Sequence, residues 1–332
     1  MVLIAMFKNN ICLNMIVKNE SKVIKRCLAS VKSLIDYWVI IDTGSDDGTQ
    51  GVIREYMKNI PGQLFERTWV DFAYNRNEAL SLAKDKGHYI LFIDADDWLQ
   101  ISKGFKLPEL IQNYYAIDFL HGQCRSMQVL LVNNRIDWKW EGVIHEAIDY
   151  SAASGEYLKG IVKWNAHDGN RSIDLRLKNL RDAQTLEIAL KDEPENSRYV
   201  LHLGGCYEAA EKYALALDSF EKRILMGGDP RELFFSLYRI GALQERLGMK
   251  PEIFINSYLR AYLYRPHRLE PLYCLANYFI QTNCYLLGYL IARFALSIPF
   301  FDDFYFTQYP IYEYGLKDQM SQCASLLGII SK

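Results

Sequence analysis

The stretch Ile90–Leu99 reads ILFIDADDWL. Four apolar residues, Ile90 to Ile93, are followed by three carboxylates within four positions: Asp94, Asp96 and Asp97. A segment that has just buried itself gains nothing from adjacent like charges, so something must compensate them. Asp94 and Asp96 are two residues apart, and an extended backbone points such residues the same way. The simplest compensating group is a divalent cation. Oxygen-only ligands favour Mg2+ or Mn2+, which usually share their shell with substrate phosphates. Taken alone, a DxD run is better explained as a turn or helix cap, and the surrounding sequence decides.

Outward from this run, strand-like and helix-like segments alternate up to about residue 165. Ile11–Val17, Tyr37–Ile41 and Tyr89–Ile93 read as short buried strands. Between them, Glu20–Leu34, Thr49–Asn59 and Asn75–Lys84 show helical spacing, and Pro61-Gly62 stops the second. This order predicts a mostly parallel α/β sheet covered by helices on both faces. Ligands of such sheets collect at the carboxyl ends of the strands. Three polar clusters fall there: VKNE with Lys18, Asn19 and Glu20; DTGSDDGT from Asp42; and DADD from Asp94. Asp42 ends a buried strand, where it can grip a base or a ribose. Asp46 or Asp47 can cap the helix that follows. Neither GxGxxG nor GxxxxGK[ST] occurs, so the dinucleotide and P-loop readings lose their main support.

Three further stretches carry chemistry. DFAYNRNEAL places Arg76, whose planar fork suits phosphate oxygens, at a helix start. WKWEGVIHEAI sets His145 and Glu146 beside Trp138 and Trp140, a setting suited to proton transfer. Strand neighbours point apart, so one of that pair faces the site. WNAHDGNRS supplies His167, which could complete a metal shell begun by Asp94 and Asp96.

After about residue 172 strand signals give way to helical repeats. Val200, Leu203, Gly204, Tyr207, Ala216 and Phe220 follow the tetratricopeptide spacing. Gly241 and Ala276 continue it in two further units. Helix pairs of this kind bury their remaining apolar face only by stacking. The division is expected at 170/171.

The chain has 332 residues, half of them hydrophobic and 14% aromatic, which is enough for two cores. A net charge of −2 with interspersed signs gives no electrostatic case for nucleic acid or an anionic membrane. Seven cysteines without a CxxC pair read as free thiols in a reducing compartment. The first residues lack a basic region and read as a lead-in to the first strand. No run is long and apolar enough for a transmembrane segment. A cytoplasmic protein, either free or peripheral to a membrane, is the expectation.

The ordered set LNMIVKNE, IDTGSDDGT, DFAYNRNEAL, ILFIDADD and WEGVIHE resembles the family-2 glycosyltransferases of GT-A fold, in the bacterial-type form with an appended tetratricopeptide domain. The resemblance runs from about Cys12 to about Tyr314. It implies an α/β nucleotide-binding domain followed by an all-α repeat domain. It implies sugar transfer from a nucleoside diphosphate sugar, most often a UDP-sugar, with inversion. Lys18, Asn19, Glu20, Asp42, Thr43, Arg76, Asp94, Ala95 and Asp96 would line the donor pocket. Asp94, Asp96 and His167 would hold Mn2+ or Mg2+. Glu146, or its neighbour His145, would be the base. The acceptor would be a protein, a glycan or a lipid-linked sugar. The repeat domain would present it or make a homodimer. A repeat-based binding module with a decayed first domain is the alternative, and it predicts no turnover.

Overall fold

The computed structural model of the chain describes residues 10–150, 153–166, 168–170, 174–301, 303 and 305–329. It forms two compact units. The first is Met1–Gly122 with Ser126–Asp174, the second Gln123–Arg125 with Leu175–Lys332. The division thus falls four residues after the expected one.

In the first unit, β1 (Ile11–Val17), β2 (Tyr37–Asp42), β3 (Gly62–Glu66) and β4 (Tyr89–Phe92) are parallel, in the spatial order β3-β2-β1-β4. Helices α1 (Ile24–Val31), α2 (Thr49–Met57) and α3 (Phe72–Leu82) connect them. The pleat divides each strand between two cores. Leu13, Met15, Ile40 and Leu91 meet Ile24, Cys27, Leu28 and Val31 of α1 and Ile53 and Met57 of α2. Cys12, Val39, Ile90 and Phe92 meet Ala83, Trp138 and Trp140 on the other face. With both faces covered, these strands need no polar alternation, and they read as continuous apolar runs.

The sheet continues as β7-β6-β10-β5, made of β5 (Asp97–Ile101), β6 (Tyr114–His121), β7 (Cys124–Asn133) and β10 (Gly155–Asn165). This half is mixed: β7 runs antiparallel to β4, and β10 parallel to β6 and antiparallel to β5. Two short strands, β8 (Trp140–Glu141) and β9 (Ala147–Ile148), pair separately. The expected strands and helices are all present. Because β1, β2 and β4 are parallel, their carboxyl ends share one edge, with Val17 in register with Asp42.

The second unit is helical: α4 (Leu175–Asp192), α5 (Ser197–Ala209), α6 (Tyr213–Leu225), α7 (Pro230–Arg246), α8 (Pro251–Tyr264), α9 (Glu270–Gln281), α10 (Tyr285–Leu296) and α11 (Leu316–Leu326). Consecutive helices pack as pairs. A Cβ added to Gly204 of α5 would come within 3.1 Å of the Phe220 ring in α6. One on Gly241 of α7 would come within 2.8 Å of Tyr258 in α8. The small residues of the repeat therefore admit a large ring from the partner helix, and any side chain there would push the pair apart. In the pair α9–α10 the small positions face each other, with Gly288 near the Ala276 carbonyl. Asn196 and Asp229 cap α5 and α7, accepting from Tyr199 and Arg231 backbone N–H groups. Among the described residues no helix is long and apolar enough to cross a membrane.

Candidate functional site

At the carboxyl edge the loops after β1 and β2 interlock. Asn19 takes a left-handed conformation, φ 58°, tolerated by asparagine. Its side-chain oxygen accepts from the Asp46 N–H at 2.9 Å, and its own N–H donates to Ser45 Oγ at 2.8 Å. The Glu20 N–H donates to Thr49 Oγ1 and the Ser21 N–H to Asp47. Asp47 also accepts from the Thr49 N–H at the start of α2, as expected of a cap. Lys18 is exposed. Thr43 is buried and returns its hydroxyl to the Val17 carbonyl, so it serves the backbone.

Asp42 is fully buried at the centre of this arrangement. Oδ1 accepts from the Gly44 and Ser45 N–H groups and from Gln50 Nε2. Oδ2 is also buried, and among the described residues no donor reaches it. Such an oxygen costs about 1–3 kcal/mol unless a ligand supplies a donor. Gly44, at φ 100°, makes the turn that aims both N–H groups at Oδ1.

The three aspartates after β4 enter a turn, contrary to the reading of an extended run. Residues 94–96 form a turn, closed by the Asp97 N–H on the Asp94 carbonyl at 3.1 Å. Each carboxylate therefore meets a different environment. Asp97 is buried and pairs with Lys163 Nζ at 2.5 Å, and Asn165 Nδ2 donates to it at 2.7 Å. Burial pushes the Asp97 carboxyl up against the pull of Lys163. This pair is structural. Lys163→Ala should cost about 3–5 kcal/mol in urea unfolding, because it strands a buried carboxylate. Lys163→Met with Asp97→Asn should recover most of that loss, and an unchanged midpoint in the single variant would contradict it.

Asp94 is paired with Arg76, Nη2 to Oδ1 at 2.5 Å. Burial opposes its charge, but Arg76 and then Lys163 outweigh it and bring the carboxyl down to about 2. Its side chain remains 42% exposed, so one face is open to a ligand. Arg76 also donates from Nε to Glu146 Oε1 at 2.6 Å, and its guanidinium lies over Trp140 at 4.9 Å. Burial works against that cation, but Asp94 and Glu146 hold it protonated well above its ordinary value. Arg76 was expected to face a diphosphate. It is only 8% exposed, and its fork is spent on two carboxylates. The indoles do not wrap Glu146 either: Trp140 packs on Phe92 and Arg76, and Trp138 lies in the core. His145 and Glu146 lie in a bend rather than a strand, His145 with φ 52°, so strand alternation does not separate them. Ala95 is buried in the core.

Asp96 is the aspartate left over. Among the described residues no cation or side-chain donor pairs with its carboxylate. Burial, then Asp97 and Asp94, raise it to about 6. Glu20 is raised to about 7, by burial first and then by Asp96, Asp47 and Asp168, although the Asn170 N–H partly relieves it. A Cβ on Gly169 would lie 2.7 Å from Asp96 Oδ2, so only glycine lets the 168–170 segment close against that carboxylate. Arg26 anchors the segment, clasping Asp168 with both guanidinium nitrogens and donating to the Asp96 carbonyl at 2.8 Å. Carboxylates that raise one another, with no cation paired to Asp96 among the described residues, fit a dication. His167 lies outside the described residues. Asn77, Arg26 and Gly169 were not among the expected site residues: Asn77 bonds a backbone 63 residues away, Arg26 a carboxylate 142 residues away, and Gly169 only leaves space, so none has a local signature.

Residues 12–148 match the family described as glycosyl transferase family 2. A TPR repeat-containing protein of Synechococcus elongatus is 29% identical over 74% of this chain and 63% of its own length. The SPbeta prophage-derived glycosyltransferase SunS of Bacillus subtilis is 25% identical over 63% of this chain and 52% of its own. The chain thus spans less than two thirds of either relative. The crystal structure of S. aureus TarS 1-349 with UDP-GlcNAc covers 79% of this chain and 86% of its own, at 14% identity and a TM-score of only 0.39. Over residues 12–148 the chain is therefore similar to glycosyltransferase family 2, and beyond them it continues into a domain of paired helices similar to a TPR repeat-containing protein.

Proposed function

We propose that the chain transfers a sugar from a nucleoside diphosphate sugar, with UDP as the carrier, to an acceptor hydroxyl or amine. The observation that supports this reading is that, among the described residues, one sheet edge carries a buried carboxylate oxygen without a donor, on Asp42, and a carboxylate without a paired cation, on Asp96. Asp42 Oδ2 suits the ring N–H of uracil. The open face of Asp94 suits a ribose hydroxyl, and Asp96 with Glu20 suits a dication, with Asp94 as a further ligand. His167 is proposed to complete that shell. When bound, Mn2+ or Mg2+ would neutralise the charge that gathers on the departing diphosphate.

The protein's own groups then have two tasks. Asp42, Asn19 and the 42–50 turn fix the nucleotide end. Glu146 takes the acceptor's proton, with Arg76 holding its carboxylate in place. Inversion follows if that carboxylate serves the face of the sugar opposite the diphosphate. His145, adjacent in the same bend, is the other candidate for the proton. The repeat domain is proposed to present the acceptor or to pair two copies. A decayed domain would have no reason to keep Asp42 Oδ2 buried and without a donor.

A panel of UDP- and GDP-sugars with Mn2+, assayed for release of free nucleoside diphosphate, tests the proposal. Slow release from at least one UDP-sugar is expected, since water can stand in for the acceptor. No release from any donor, with or without candidate acceptors, would favour the binding-module alternative.

A further inference from the structure

The NRN run at the start of α3 does more than occupy a helix turn. Asn75 is fully buried and ties the preceding loop, accepting from the Val70 N–H and donating to the Thr68 carbonyl. Asn77 faces the other way. Its side-chain amide donates to the Trp140 carbonyl at 2.9 Å and accepts from the Trp140 N–H at 2.8 Å. It therefore satisfies both backbone groups of one residue, as a neighbouring strand would, and fixes the start of β8. Arg76, between the two asparagines, stacks on that same Trp140 and bonds both Asp94 and Glu146. Six residues after Trp140 the chain reaches Glu146, so the segment is held at both ends by adjacent residues of one helix turn.

We propose that Arg76 and Asn77 are positioning residues that couple occupancy of the donor pocket at Asp94 to the placement of Glu146. This rests on the function proposed above. Asp94 is the half-exposed partner of Arg76 and Glu146 the enclosed one, with side chains 42% and 10% exposed. A ligand that fixes Asp94 therefore steadies Arg76, which follows the carboxylate it is bonded to, and its second charge-assisted bond carries that constraint to Glu146. Glu146 and the 140–148 segment should order when the donor pocket fills. An empty pocket leaves Asp94, and through it the base, freer to move. Such an arrangement withholds the base until the nucleotide is present.

Hydrogen exchange of the 138–148 segment in the intact chain tests this, measured with and without UDP, and separately GDP, in the presence of Mn2+. Nucleotide binding is followed in parallel by calorimetry. In the wild type, bound nucleotide should slow exchange in this segment by about tenfold. In Asn77→Ala and Asn77→Leu, which free the Trp140 backbone without touching Asp94, nucleotide affinity should stay within about threefold while that added protection is lost. Wild-type chain that binds nucleotide without protecting 138–148 would overturn the coupling and leave the proposed function standing. Variants that keep the protection would do the same. Variants that lose affinity and protection together would mark Asn77 as merely structural and overturn the coupling. If neither nucleotide binds the wild type, the proposed function falls and the coupling with it.

Discussion

Asp96→Asn should abolish the contribution of Mn2+ to UDP binding while leaving the fold intact. The substitution preserves shape and removes one charge from a carboxylate that lacks an internal cation among the described residues. Its removal should therefore not unfold the chain. Relief of repulsion with Glu20 should instead leave the metal-free melting temperature equal or slightly higher. The affinity for UDP in Mn2+ should fall by about two orders of magnitude, to the value measured without metal.

The same groups set a pH dependence. Asp96 and Glu20 are raised to about 6 and about 7 in the folded chain. Between their ordinary values and these, the folded chain binds more protons than the unfolded one. Stability of the metal-free protein should thus fall as pH rises from about 4 to about 7. Mn2+ must displace those protons, so it should raise the melting temperature more at about pH 7.5 than at about pH 5.5. Equal Mn2+-supported UDP binding in wild type and Asp96→Asn would rule out a ligand role for this carboxylate.

Glu146→Gln should reduce turnover of whichever sugar nucleotide the wild type hydrolyses by about 10²–10⁴-fold, with UDP affinity within about threefold. The amide can still accept from Arg76 Nε through its carbonyl, so position is conserved and only the proton acceptor is lost. This separates the two readings of the ion pair. If Glu146 exists only to neutralise Arg76, the variant should be less stable but fully active. If it takes the proton, the variant should be stable and slow. Turnover within threefold of wild type would move the base assignment to His145 or elsewhere.

The parallel half of the sheet could be read in advance because β1, β2 and β4 are buried on both faces and carry no polar alternation to confuse the count. The strand β3 was not: GQLFE lies at the sheet edge, is only partly buried, and begins at the Pro61-Gly62 pair read as the stop of the second helix. The long strands β6, β7 and β10 also carried little signal. In β10 the bulge between Tyr157 and Val162 and the inward Lys163 break the period. The repeats were legible because close helix approach demands a small residue at a fixed interval.

Within the site, residue types were readable and directions were not. The three aspartates looked equivalent in sequence, and one tight turn gives them Arg76, Lys163 and no cation. Arg76 read as a fork for phosphate because its two carboxylate partners lie 18 and 70 residues away.

Calorimetric titration of the intact chain with UDP, in Mn2+ and then in chelator, bears most directly on whether this sheet edge holds a nucleotide diphosphate with a dication. Binding should be saturable and at least about tenfold tighter with the metal. UDP that binds equally well in chelator, or that fails to bind at all, would contradict it.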